Sequence, residues 1–288
     1  VPGGARHAVE YARSVVAAPL DWLRQPCVMG ILNVTPDSFS DGGRHLDGAA
    51  AIARAEAIAG DGAAIIDAGA ESTRPGAEPV PADVQLSRLA PLFAAAREGA
   101  IPCPLSIDTT SARVAATGLD AGAVLVNDVS AGRDDPDLLP VVAEHAAAVC
   151  LLHMRGRPGD MQDDPRYADV VGEVADFLAE RIDAARAAGI ADDAIQIDPG
   201  IGFGKTLEHN LSLLRAVDRL AELGPPVVIG VSRKGMFGSL LGRPVDERLA
   251  GSLGAALAAL AGGAAIIRAH DVRETVDAVT AWCAVRSA

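Results

Sequence analysis

The sequence predicts a single-domain α/β protein, a (β/α)8 TIM barrel, and three observations predict it. Eight short, nearly continuous apolar runs alternate with longer amphipathic segments along the chain. Such runs suit strands buried on both faces of a parallel sheet, and the segments between them suit helices laid over that sheet. A polar residue ends or follows almost every run, and a closed barrel gathers its strand ends onto the face where barrel active sites sit. The chain has 288 residues, 50% of them hydrophobic, with no Pro/Ser-rich linker, which fits one large core near the ~250-residue size of such barrels. An open doubly wound sheet is the alternative; the eightfold count favours closure.

The first 25 residues read as a loosely attached leader with one short helix, lacking the basic start, apolar run and cleavage pattern of a signal peptide. The barrel domain spans 26–288. Its strands are expected at 27–32, 63–67, 104–108, 123–127, 148–153, 194–198, 227–232 and 264–269. The helices are expected at 48–60, 82–98, 111–120, 136–146, 168–188, 207–223, 246–261 and 273–285. The polar residues at the strand ends are Asn33, Asp67, Asp108, Asn127, His153, Asp198, Ser232 with Lys234, and His270. Any one of them alone reads as a helix cap or turn; their recurrence, with a lysine and two histidines among them, points to a site. Two long polar loops, 33–48 and 69–81, have the character of lids or binding loops, and Phe39 at the tip of the first needs a surface to pack on.

The formal net charge of -13 argues against a nucleic-acid partner, which calls for a basic face. It leaves room for a local cationic pocket, with Lys234 and Arg268 as candidates. The cysteines (Cys27, Cys103, Cys150 and Cys283) are widely spaced. Cys27 and Cys150 sit in apolar runs and read as core thiols, so a reducing cytoplasm is the expected setting. The richest apolar stretch, 251–267, is interrupted by glycines and reads as a buried helix and strand, so no membrane association is expected.

The run DPGIGFGKT (198–206) is not a Walker A loop, because Pro199 stands where its first glycine belongs. It reads as a tight turn above strand six that brings backbone close to a ligand. HExxH, GxSxG and zinc-spaced histidines do not occur. Arg268 and His270 alternate onto one side of strand eight, where both reach an anion; a surface arginine and a cap are the plain alternative. Asp108 and Asp198 form either an acid/base pair or two buried acceptors for an N–H-rich heterocycle. Lys234 is a Schiff-base lysine, an anion clamp or a surface charge. From pattern alone the chain is a barrel enzyme acting on an anionic small molecule.

At these residues the sequence resembles the dihydropteroate synthase family. MGILNVTPDSFSDGG (29–43) and GAESTRPGA (69–77) are similar to its two long signatures. IDT (107–109), NDVSAG (127–132), HMRG with MQ (153–162), DPGIGFGKTLEHN (198–210), SRK (232–234) and RAHDV (268–272) follow in the family's order. The resemblance runs from about residue 27 to the C-terminus. It implies that the aniline nitrogen of para-aminobenzoate displaces pyrophosphate from 6-hydroxymethyl-7,8-dihydropterin pyrophosphate, through a cationic pterin intermediate.

The resemblance also implies roles. Asp108, Asn127, Asp198 and Lys234 hold the pterin, with Thr73 and Arg74 beside the reacting centre. Arg268 and His270 grip the pyrophosphate, with Asn33 helping through Mg²⁺. Phe39, Arg74, Pro75, Phe203, Gly235 and the Lys234 stem line the para-aminobenzoate pocket, and Asp37 faces the cation or the metal. Asp37, Arg74, Asp108, Asp198 and Lys234 make up the implied catalytic set. Sulfonamides are implied inhibitors, and the family tends to form dimers through late barrel helices. One position departs from the pattern: Gly235 stands where the family often has serine. Two rivals are a methyltetrahydrofolate-type methyltransferase, which would not need ESTRPG or the RAH pair, and a non-catalytic pterin-binding paralogue, which would be expected to lose members of the polar set.

Overall fold

The computed structural model describes residues 26–35, 44–72 and 76–287, with the side chains of 44–47 left aside. Among these residues eight strands form one all-parallel sheet: β1 Cys27–Asn33, β2 Ile65–Gly69, β3 Leu105–Asp108, β4 Leu125–Asp128, β5 Ala148–Leu152, β6 Ile195–Asp198, β7 Val228–Ile229 and β8 Ile266–Ala269. The order is β6-β5-β4-β3-β2-β1-β8-β7, and a parallel bridge between Ile197 and Val227 joins the two ends. The expected barrel is therefore the observed one. Strands β2 to β6 are buried at every residue, which explains their lack of in–out alternation.

The helices are α1 Arg44–Gly60, α2 Ala82–Arg97, α3 Ala112–Asp120, α4 Leu138–Glu144, α5 Val170–Ala187, α6 Leu207–Arg215, α7 Val217–Ala221, α8 Met236–Leu241, α9 Leu249–Ala261 and α10 Val272–Ser287. Two of them start at side-chain caps. The Asp169 carboxylate accepts from the Gly172 amide ahead of α5. Thr206 and His209 exchange side-chain and backbone bonds in a capping box ahead of α6.

Hydrophobic packing separates into layers. Met29, Ile65, Leu125, Cys150, Val228 and Ile266 fill the barrel interior, while a larger set that includes Leu89, Phe93, Val126, Leu178 and Leu213 joins strands to helices. A small apolar cluster at the mouth contains Val129, Leu152, Met154, Met161 and Phe203.

Three expectations need correction. The helix expected over 207–223 is two helices, broken at Ala216, whose ψ of 28 leaves the helical region. The run expected as a strand over 227–232 is a strand only at Val228–Ile229, with a bridge at Val227, because the chain leaves the sheet at Gly230 and then starts α8, a helix not foreseen. Cys150 is a core thiol as expected, but Cys27 is only half-buried.

Candidate active site

The C-terminal ends of the strands converge on an open pocket lined by Asp108, Asn127, Val129, Leu152, Asp198, Ile201, Phe203, Gly230, Lys234 and Arg268. Asp108 ends β3, Asn127 lies one residue from the end of β4, Asp198 ends β6, and Arg268 lies one residue from the end of β8. Six of the residues singled out from sequence are therefore brought together: Asp108, Asn127, Asp198, Phe203, Lys234 and Arg268.

Asp198 is fixed by the turn that follows it, since the Gly200 amide donates to its Oδ1 at 2.7 Å. That turn is possible because Gly200 has a φ of +69, a left-handed conformation open to glycine without strain. Burial pushes the Asp198 carboxyl up, while the Gly200 amide and the nearby Lys234 pull it down. The Lys234 ammonium lies 4.3 Å over the Phe203 ring. Burial lowers it to about 8, against the pull of Asp198. Gly202 gives its stem room, because a Cβ there would stand 3.2 Å from Lys234 Cδ.

Arg268 reaches inward across the barrel. Its Nε donates to Asp67 Oδ2 and its Nη2 to Asp108 Oδ2, both at 2.6 Å. Burial acts to lower this guanidinium, but Asp67 and Asp108 outweigh it and hold it above its ordinary value. Burial raises Asp108 to about 7 even though Arg268 opposes it. The cavity thus combines buried carboxylates, a cation of lowered basicity and an aromatic wall. Such a set can receive a flat heterocycle rich in N–H groups and can stabilise positive charge developing on it.

The other expected site residues are placed differently. Asn33 ends β1 beside Gly69, half-buried and outside the cavity lining. His270 follows β8, with its amide and its Nδ1 each 3.1 Å from Ser232 Oγ. Gly235 is exposed at the start of α8. Asp37, Phe39, Thr73, Arg74 and Pro75 lie outside the described residues.

Two residues were missed as site members. Asp67 appeared only as one polar strand end among several, yet it anchors Arg268. Lys205 was weighed only as part of a phosphate loop. Its buried ammonium donates to the carbonyls of Phe203 at 2.9 Å and His153 at 3.3 Å, and lies 2.9 Å from His153 Nδ1. It thereby ties the glycine-rich turn to the end of β5. Burial and the Lys205 charge lower His153 to about 2, so that imidazole is neutral and accepts. The clue to Lys205 in the sequence was a lysine inside an otherwise apolar and glycine-rich turn.

This barrel and this cavity define a class, the pterin-binding barrel enzymes, and the family model described as "Pterin binding enzyme" matches residues 29–270. A dihydropteroate synthase of Synechocystis sp. is 45% identical over 269 residues, 93% of this chain and 91% of the relative. A dihydropteroate synthase of Xanthomonas albilineans, solved with 4-aminobenzoic acid, superposes with a TM-score of 0.85 at 48% identity, covering 92% of this chain and 95% of that one. The Yersinia pestis dihydropteroate synthase, solved as a sulfonamide drug complex, gives 0.85 at 43% identity over 92% and 96%. The chain belongs to the dihydropteroate synthase family and is, with it, a transferase.

Proposed function

We propose that this chain condenses 6-hydroxymethyl-7,8-dihydropterin pyrophosphate with para-aminobenzoate, giving 7,8-dihydropteroate and pyrophosphate in folate biosynthesis. The observation that carries the reading is the convergence of Asp108, Asn127, Asp198 and Lys234 on one cavity at the barrel mouth, in a chain so similar to dihydropteroate synthases. A site for methyl transfer or a non-catalytic pterin site is disfavoured by the RAH run and by the intact polar set.

Asp198 presents Oδ2 to the pterin amino group and ring N–H, since Oδ1 is held by Gly200. Asn127 and Asp108 take the remaining polar edge, and Lys234 donates to its acceptor atoms. As the bond to pyrophosphate breaks, the carboxylates face the positive charge left on the pterin. Para-aminobenzoate enters beside Phe203 and the Lys234 stem, and the family resemblance assigns Phe39, Arg74 and Pro75 to the same substrate. It also assigns Thr73 and Arg74 to the reacting centre and Asp37 to the cation or the metal. To the two long loops the family resemblance assigns the task of keeping water from the cation. Arg268 and His270 take the pyrophosphate, which requires the Arg268 guanidinium to exchange part of its pairing with Asp108 for the anion.

The donor set fits Mg²⁺. Among the described residues no cluster of three His, Cys, Asp or Glu side chains exists to cage a metal. Asn33 offers one amide oxygen, and a hard cation that keeps water and substrate phosphate oxygens needs few protein ligands. The chemistry the ion supplies when bound is neutralisation of the leaving pyrophosphate. Exposed Leu240, Leu241 and Val245, just ahead of α9, support the homodimer reading. The four free cysteines support a cytoplasmic setting. No helix among the described residues is long and apolar enough to cross a membrane.

The test is pyrophosphate release from the pterin substrate with Mg²⁺, with and without para-aminobenzoate, and with dihydropteroate followed by chromatography. Product that depends on para-aminobenzoate is expected. Pterin binding without product would move the chain to one of the rival readings. In the same assay sulfonamides are expected to compete with para-aminobenzoate, and no inhibition at saturating drug would refute that.

Two further outcomes follow from the geometry. Lys234 with its proton lost keeps only the weaker donor strength of a neutral amine and no longer supplies charge to the pterin, so kcat/KM for the pterin substrate falls as pH rises through about 8. Lys234→Arg, which keeps its charge, removes that alkaline limb while lowering the plateau; an alkaline limb unchanged in the variant assigns it to another group. At Gly235 a Cβ would meet nothing within 4 Å and φ is -56, so serine fits without strain. A regained hydroxyl contact to the para-aminobenzoate carboxylate, worth ~1.5–3 kcal/mol, lowers the KM for that substrate about tenfold or more in Gly235→Ser. An unchanged KM sinks the idea of a weakened aryl-amine site.

A further inference from the structure

Asp67, at the third position of β2, is fully buried and is absent from the cavity lining. A carboxylate placed so deep is unfavourable unless its oxygens are well occupied, and these are. Ser106 Oγ donates to Oδ1 at 2.7 Å, while Asn127 Nδ2 at 2.9 Å and Arg268 Nε at 2.6 Å both donate to Oδ2. The donors come from β3, β4 and β8, so one side chain gathers three strands at the level of the site. Through Arg268 the network continues to Asp108 Oδ2 at 2.6 Å.

Two consequences follow. Asn127 commits one of its two amide N–H donors to Asp67, which fixes the orientation of the amide and turns its Oδ1, an acceptor, the other way. The Arg268 charge is shared between two carboxylates, so Asp108 is not neutralised by a guanidinium of its own. Both effects turn the cavity toward acceptors and negative charge, which is what a donor-rich heterocycle edge requires.

We propose that Asp67 is a positioning residue for the pterin site: through Asn127 and Arg268 it makes the cavity select a heterocycle that presents N–H donors. The inference rests on the reading that Asn127 and Asp108 bind the pterin.

The experiment compares Asp67→Asn with Asn127→Ala and with the double variant, measuring KM separately for the pterin pyrophosphate and for para-aminobenzoate, alongside thermal unfolding. In Asp67→Asn the amide of Asn127 is free to turn over. The expected result is a rise of 10- to 100-fold in pterin KM with para-aminobenzoate KM within twofold. The double variant is expected to raise pterin KM by less than the product of the two single effects, because part of what Asp67 does runs through Asn127. If Asn127→Ala leaves pterin KM unchanged, the reading of the site fails. If Asn127→Ala raises it but Asp67→Asn does not, the positioning role alone is overturned. An equal rise for both substrates in Asp67→Asn also overturns it, since that is what general loosening of the barrel gives. Should Asp67→Asn not fold, Ser106→Ala releases Oδ1 while keeping the charge. It is expected to raise pterin KM three- to fivefold with the para-aminobenzoate KM unmoved, and no change there overturns the proposal.

Discussion

Asp198→Asn lowers kcat/KM for the pterin substrate by about a thousandfold and leaves the protein as stable as before, or more so. The first half follows from the loss of a charged acceptor. One hydrogen bond to an ionised group is worth ~1.5–3 kcal/mol, and stabilising a developing charge in a closed site is worth ~3 kcal/mol. Both terms come from the same contact, so the loss is less than their sum, and ~4 kcal/mol is about a factor of a thousand. The second half follows from linkage. Burial raises the Asp198 carboxyl in the folded protein above its unfolded value. The folded state therefore binds more protons between those two values, and stability falls as pH rises across that window. Above it the whole penalty is in place. An amide is neutral and can still accept from Gly200, so the penalty goes while the turn stays. Steady-state kinetics and thermal unfolding of the same preparation check both halves. A kinetic loss under tenfold would mean that Asp198 is not the pterin acceptor. A midpoint several degrees lower would mean that the carboxylate is net stabilising.

Gly200→Ala gives the largest stability change expected in this protein. Its Cβ would stand 1.9 Å from the backbone oxygen of His153, with φ at +69. Neither atom belongs to a flexible side chain, so β5 or the turn after β6 has to move. Gly99 provides the matched control. Its φ is +68, and a Cβ there meets nothing within 4 Å. Gly99→Ala therefore isolates the left-handed penalty, ~1–2 kcal/mol for a residue with a side chain. Gly200→Ala adds a backbone collision and belongs in the class above ~4 kcal/mol. It also moves the amide that holds Asp198, so residual folded protein should be inactive. Denaturant unfolding of the two variants separates the terms, and equal losses would show that the loop relaxes around the added carbon.

The fold was legible because its strands are apolar on both faces, and a parallel sheet under helices leaves few other ways to bury them. The breaks at Ala216 and after Ile229 were not, since both depend on where neighbouring elements stop offering partners. Asp108, Asn127, Asp198 and Arg268 were legible as polar residues at the ends of apolar runs, and the structure gathers them. The resemblance, not the pattern, separated them from ordinary caps. Asp67 looks the same as they do in sequence. Its separate standing comes from a contact made across 201 positions of chain with Arg268. Lys205 was hidden for a different reason: its partners are two carbonyls and a histidine ring, and backbone acceptors leave no signature in residue type.

The closure of the barrel is uneven. β1 and β2 share five register pairs and β5 and β6 share four, whereas β6 and β7 meet at a single bridge. That junction lies between the strand that ends at Asp198 and the one that leads to Lys234. The carboxylate and the amine that face each other across the cavity are thus carried on opposite banks of the most thinly stitched joint in the sheet. A displacement there would break few ladder bonds, and it would change the gap between the two groups while the other six strands kept their register. The rigid part of the barrel and its adaptable part are divided along the line where the substrate has to fit.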